Sequence, residues 1–112
     1  RLVGEVALEE HHDRVDFPDR VGLTGDWREP GPVLQIPLRC LLARRSCNLI
    51  VAGRCISAAS AWDVTRAIPT CAVTGQAAGV AAALACACTD GDLRSLDVSS
   101  LQRALTGQGV QL

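Results

Sequence analysis

The alternation of apolar and polar positions divides the chain into three unequal stretches. The first covers residues 1–45, of which 1–35 are the polar part of the chain, with the pattern repeatedly broken. Leu2, Gly4, Val6 and Leu8 alternate with their neighbours and predict a short strand. The charged run EEHHDRVDFPDR comes next. After it, Pro18, Gly22, Gly25, Pro30, Gly31 and Pro32 predict turns between short strands. Pro30 and Pro32 favour extended backbone at Glu29 and Gly31. The run VLQIPL, residues 33–38, reads as a strand that Pro37 places at an edge or a bulge.

Residues 46–89 differ in kind. In NLIVAG, residues 48–53, four apolar side chains follow one another, the pattern of a strand covered on both faces in a parallel sheet. Gly53 closes it, where a hydrogen side chain lets another group approach the backbone. Ligands of open α/β sheets bind beyond such strand ends. The loop RCISAASAWDVTR then leads to a helix from about Thr70 to Cys88, with Thr70 as its cap and Pro69 just before it. Cys71, Gly75, Ala78, Gly79, Ala82 and Cys86 form one stripe of small side chains, and Val73, Ala77, Val80 and Leu84 a second, apolar one. A helix apolar nearly all round is expected to be buried. Each mid-helix glycine costs roughly 1 kcal/mol against Ala. Close approach of a neighbouring backbone, or of a flat ligand, offsets that cost.

The last stretch, residues 90–112, is simpler. Asp97 is expected to cap a helix over residues 98–106, with Gly107 as its stop. Leu96 and Leu101 fit a hydrophobic staple, and Val98, Leu101 and Leu105 make the buried stripe.

Composition changes this picture in a few places. An apolar content of 48% and a net charge of -1 point to a folded chain, and give no electrostatic case for nucleic acid. All 11 basic residues are Arg. Residues 67–89 carry no charge, and Gly75 and Gly79 fit a G-x-x-x-G pattern, both features of membrane spans. Pro69, Gln76 and the shortage of strongly apolar residues favour a buried helix instead. No signal peptide is visible at the start. The chain opens at Arg1 and holds no Met, so it is expected to be processed, trimmed or an excerpt.

Six Cys in a chain without signs of secretion are expected to be thiols in the cytoplasm. Cys55, Cys71, Cys86 and Cys88 lie in or beside apolar runs and are expected to act as small buried hydrophobes. Cys86-Ala87-Cys88 lacks the two-residue spacing of zinc or redox sites. Glu9, Glu10, His11, His12 and Asp13 are metal-ligand types, yet successive residues diverge too far to converge on one ion. A solvated charged turn without metal is expected. No nucleophile elbow, P-loop or dinucleotide-binding glycine motif is present, and Gly22 and Gly25 are placed in turns.

A Gly-ended strand beside a helix start rich in small residues makes a shallow, backbone-lined pocket. Its amides favour partial negative charge, such as the N1–C2=O2 edge of a flavin. Tight packing of the helix on a sheet explains the same residues equally well. The series IPLRC, NLIVAGRCISA, Arg66, IPTC, GQAAGVAAALA and DVSSLQRAL adds a resemblance. It is similar to the C-terminal part of FAD-dependent oxidoreductases, in the glutathione-reductase-type superfamily that includes fumarate-reductase-like flavoproteins. The likeness spans residues 4–112 and is most specific over 46–85.

That resemblance implies an α/β fold: the C-terminal segment of an FAD-binding Rossmann-like domain, joined by antiparallel strands of a substrate-side domain. Residues 1–45 would be the tail of the latter, 46–89 the return strand and flavin-side helix, and 90–112 a packing helix. FAD is the implied cofactor, with hydride transfer at flavin N5. Gly53 and Arg54 would lie beside its ribityl and pyrophosphate portion. Pro69, Thr70 and Cys71 would present the helix start to the isoalloxazine, with Gly75 and Gln76 in the next turn. Gly75 and Gly79 would allow close packing on the sheet, and Arg66 would contact flavin or substrate. The implied partners are an upstream FAD-binding segment of the same protein and a small-molecule substrate, with no nucleic acid and no membrane span.

The chain also departs from its relatives. Where they carry Trp-x-x-Asp-x-His it has DWREPGP, matching Trp27 but not the His, and SAASAWDV replaces a His-bearing loop. No acid or base role is therefore carried over, and His11 and His12 receive none. The alternative to an enzyme portion is an inactive flavoprotein remnant. In either case the 112 residues alone are expected to bind FAD weakly or not at all.

Overall fold

Strand β1 (Arg20–Gly25) pairs antiparallel with β2 (Val33–Pro37) in a computed structural model that describes residues 1–112. Leu23 lies opposite Gln35 and Gly25 opposite Val33, and an irregularity between Arg20 and Leu23 sets Arg20 against Pro37. Pro37 has no N–H to donate, so the ladder ends there, as its sequence position predicts. Leu34 and Ile36 alternate into the core, while Val33 is exposed.

An ion pair fastens the hairpin to the residues just beyond β2. The Arg39 guanidinium donates to both Asp19 carboxylate oxygens at 2.9 Å, and its backbone N–H donates to Asp19 Oδ2 at 3.1 Å. Burial pushes the Asp19 carboxyl up, but the Arg39 hydrogen bonds and charge outweigh it and hold it below its ordinary value.

The N-terminal segment runs beside residues 55–58. Leu2 N–H donates to the Cys55 carbonyl at 2.7 Å, Leu8 N–H to that of Ser57 at 3.0 Å, and Leu8 makes a parallel bridge with Ala58. A Cβ on Gly4 would lie 2.7 Å from the Arg39 carbonyl, so only glycine fits this approach.

The expected strand over residues 48–53 is corrected. It makes one antiparallel bridge, Ile50 to Leu42, and Leu49 remains 48% exposed. A strand covered on both faces must lie within a sheet that has layers packed above and below it, and here the segment makes only that bridge. The sheet is therefore two-stranded and antiparallel, within a small α/β fold.

After the short helix α1 (Trp62–Thr65), helix α2 runs over Ile68–Cys88. It starts three residues earlier than Thr70 capping predicts: Ala67 is the cap, and Pro69 sits in the first turn, where a missing N–H is harmless. Thr70 is instead buried within the helix. Burial all round is also corrected. One stripe is buried, made of Thr70, Thr74, Ala77, Ala81 and Ala85, and the helix packs on β1 and on α3 (Val98–Gly107).

The opposite stripe, with Ile68, Ala72, Gly75, Gly79, Ala83 and Cys86, is exposed. Nothing lies within 4 Å of a Cβ added at Gly75 or Gly79, so neither packs on the sheet as expected. Gly22 makes the close approach instead. It lies inside β1 rather than in a turn, and a Cβ there would overlap Val73 Cγ1 of α2. By length and composition alone, α2 is able to cross a membrane.

Helix α3 forms where its local signals place it. Asp97 caps it by accepting from Ser100 N–H at 3.0 Å, and Leu101 and Leu105 are fully buried. One hydrophobic cluster, from Leu8 through Ile56 and Ala77 to Leu105, joins all three stretches of the chain. Within the charged run, Glu10–His12 form a 3-10 turn without buried residues. All six cysteines are free. Cys55, Cys86 and Cys88 are exposed, contrary to expectation, because they fall off the single buried stripe or on a surface turn. Cys40 is the buried one, and burial pushes its thiol up to about 12.

This packing has two measurable consequences. Asp19→Asn should lower stability by about 2 kcal/mol at pH 7, a value reduced for the partly exposed Arg39. Because the folded Asp19 pKa is depressed, its contribution is present above the ordinary value of 3.8 and is lost as the pH falls through the folded one. Urea unfolding of the two proteins should therefore converge in acid. In native protein at pH 8, iodoacetamide should modify Cys47, Cys55, Cys86 and Cys88 but spare Cys40, read by peptide mass spectrometry.

Candidate functional site

Gly53 opens a 3-10 turn, Gly53–Cys55, directly against α2. Its φ is +69°, in the left-handed region. A Cβ there would meet Cys71 Sγ at 3.7 Å, an ordinary contact, so backbone conformation rather than space selects glycine. The Gly53 N–H donates to Thr74 Oγ1 at 2.9 Å. Thr74 Oγ1 in turn donates within α2, to the Thr70 carbonyl at 2.8 Å. Across the same helix start, the Cys71 thiol lies 3.7 Å from the Arg66 carbonyl.

These contacts bring the end of the 48–53 segment, α1 and the first turn of α2 to one edge of the molecule. A shallow cleft of about 270 Å³ lies there, lined by Trp27, Arg54, Asp63, Arg66, Ala67 and Ile68. Trp27 Nε1 donates to the Asp63 carbonyl at 3.2 Å and ties the β1–β2 loop to α1. The Arg66 guanidinium sits 5.0 Å from the Trp62 ring centroid, with its Nε 3.2 Å from Asp63 Oδ1. Ile68 is 80% exposed at the cleft rim.

The electrostatics favour an electron-rich group. No side chain caps α2, and no acidic residue occupies its first turn. Its free first-turn amides carry the positive end of the helix dipole. Arg54 and Arg66 add positive charge beside it, and Asp63 offsets part of the latter. An anion or the polar edge of a flat ring suits this arrangement.

Of the residues singled out in the sequence, Gly53, Arg54, Arg66, Pro69 and Cys71 gather at this edge. Gly75 lies one turn further along the exposed face. Thr70 belongs to the helix start only through its backbone, because its hydroxyl faces inward to Thr24 Oγ1 at 2.7 Å. Gln76 does not join them. Its side chain donates to Gln108 Oε1 at 2.9 Å, beyond the end of α3. At about 100° per residue, position 76 stands well round the helix from Cys71.

Trp62, Asp63 and Thr74 were not singled out from the sequence. A signal existed for the first: both tryptophans of a chain with almost no aromatics stand at this one edge. For Thr74 the signal was its i, i+4 spacing from Thr70 on a stripe otherwise made of Ala.

A sequence model of one family, described as FAD dependent oxidoreductase, matches residues 2–105. The match takes in the hairpin, the Gly53 turn, all of α2 and most of α3. No curated protein and no solved structure matches the chain.

Left-handed backbone at position 53 has a measurable cost for any other residue. Gly53→Ala should lower stability by about 1–2 kcal/mol, and Gly53→Asn by less, in thermal melts.

Proposed function

The chain belongs to the FAD-dependent oxidoreductase family, and from that premise we propose that it forms the isoalloxazine and ribityl side of the flavin site. In this reading it is the C-terminal part of a Rossmann-like FAD-binding domain, with its hairpin on the substrate side. FAD is the cofactor of the intact protein.

One observation carries the proposal. Helix α2 has an uncapped start, and beyond it Gly75 and Gly79 face open space on the exposed side. Each interior glycine costs roughly 1 kcal/mol against Ala, and nothing within this chain offsets it. A flat ring or a strand laid across that face does.

The residues present fit FAD in three respects. The exposed face of α2 presents no large side chain between Ile68 and Cys86 except Gln76 at its margin. The helix start and the two arginines suit an electron-rich edge. The Gly53–Arg54 turn offers backbone that a chain of ribityl and phosphate groups can approach. When bound, FAD supplies hydride transfer at N5. The chain's own part is to hold and polarise. Backbone of Pro69, Thr70 and Cys71 would face the pyrimidine edge, and Arg66 would stabilise charge there. Gly53 and Arg54 would run along the ribityl and pyrophosphate portion. Gly75 would let the ring lie close to the helix, and Ile68 would exclude water at the rim. Gln76 would stand at the margin of the ring's site, its side chain turned towards Gln108.

The reading frame before Arg1 should then encode a strand, a G-x-G-x-x-G turn and a helix, with an acidic residue about 20 positions on. Joined to that segment, the chain should hold one equivalent of FAD, read by flavin absorbance and fluorescence, and Gly75→Leu should displace it. The chain alone should bind weakly or not at all. A stoichiometric yellow spectrum from the 112 residues by themselves would overturn the shared-site reading. A joined protein that takes up no flavin would mark an inactive remnant.

A further inference from the structure

We infer that Thr74 is a positioning residue for the flavin-side wall: its buried hydroxyl fixes where the Gly53–Arg54 turn stands over the start of α2. This rests on the reading of the site just given, and concerns the residues beneath it rather than those that face the cofactor.

The hydrogen bonds leave the Thr74 hydroxyl little freedom. Thr74 is fully buried. Its one proton is committed to the helix's own carbonyls, that of Thr70 at 2.8 Å or of Cys71 at 3.1 Å. The oxygen in turn accepts the Gly53 N–H at 2.9 Å. That amide begins a turn with positive φ and has no strand partner, so the hydroxyl is its anchor.

One turn earlier, Thr70 carries a second buried hydroxyl, 2.7 Å from Thr24 Oγ1 on β1. Three hydroxyls therefore join the hairpin, the helix start and the Gly53 turn through an otherwise apolar layer. Packing alone does not call for them. The same buried stripe continues with Ala77, Ala81 and Ala85, where a methyl group suffices. Hydroxyls occur only at the two positions beside the cleft. A satisfied buried polar network fixes geometry that apolar packing leaves loose.

The test uses the full-length protein with FAD. Thr74→Val keeps the side-chain shape and removes the acceptor; Thr74→Ser keeps the hydroxyl. Thr74→Val should weaken FAD binding roughly 10-fold or more, the scale of one lost bond to a buried amide. It should also shift the visible spectrum of the bound flavin and speed hydrogen exchange at the Gly53 amide. Thr74→Ser should restore all three. Wild-type affinity and spectrum in Thr74→Val, or no rescue by Thr74→Ser, would overturn the inference. If Thr74→Val does not fold, wild-type exchange decides: a protected Gly53 amide supports the role, and one exchanging at the unprotected rate refutes it. A wild-type protein that takes up no FAD refutes the site reading instead, while the Gly53 exchange still reports on the Thr74 bond.

Discussion

The seating of α2 on β1 sets the rest of the structure. A helix and a strand pack this closely only where one side gives up its Cβ, and here that side is Gly22, beneath Val73. The Thr24–Thr70 hydroxyl pair, 2.7 Å apart and buried, adds a directional contact to the apolar one. Together they fix both the distance of α2 from the hairpin and its rotation. A helix turned by one residue would carry its hydroxyls about 100° away from their partners. The cost of unpaired buried hydroxyls rules that out.

Rotation then decides what the outer face displays. With Thr70, Thr74, Ala77, Ala81 and Ala85 inward, Ile68, Ala72, Gly75 and Gly79 must point outward. The same rotation brings Thr74 under the Gly53 turn and sets Cys71 against it. The cleft edge is thus a consequence of core packing. Trp27 and Asp63 bridge the hairpin loop to α1 and close the frame around the helix start. Hairpin and helix start are in this sense one piece.

The elements legible in the sequence were those specified locally. Helix α3 carries its own cap in Asp97 and its own staple, and β2 its own stop in Pro37. Gly53 was legible as a position that needs glycine, but not for its reason: it closes no strand, and its positive φ rather than a close approach selects glycine. Elements that depended on neighbours were not. NLIVAG reads as a doubly covered strand because its side chains are suited to one, yet it finds a single bridge here. Helix α2 reads as wholly buried for the same reason, and buries one stripe. Burial predicted for Cys55, Cys86 and Cys88 failed with it. Composition records how much surface a segment is able to hide. Only the fold records which partners are at hand.

The glycines separate these two kinds of demand. Gly4 and Gly22 are required by contacts inside the chain, where a Cβ would overlap a backbone carbonyl or a packed valine. Gly53 is required by its positive φ. Gly75 and Gly79 answer to neither: both are helical, and open space surrounds the position of each missing Cβ. Alanine at both would gain roughly 2 kcal/mol of helix stability from propensity alone. Nothing within these residues opposes that gain, and the proposed flavin-side reading accounts for the two glycines by an occupant on the outer face of α2. Their alignment with the uncapped helix start and the Gly53 turn would put that occupant on one continuous surface, the surface that a flavin ring and its tail would share.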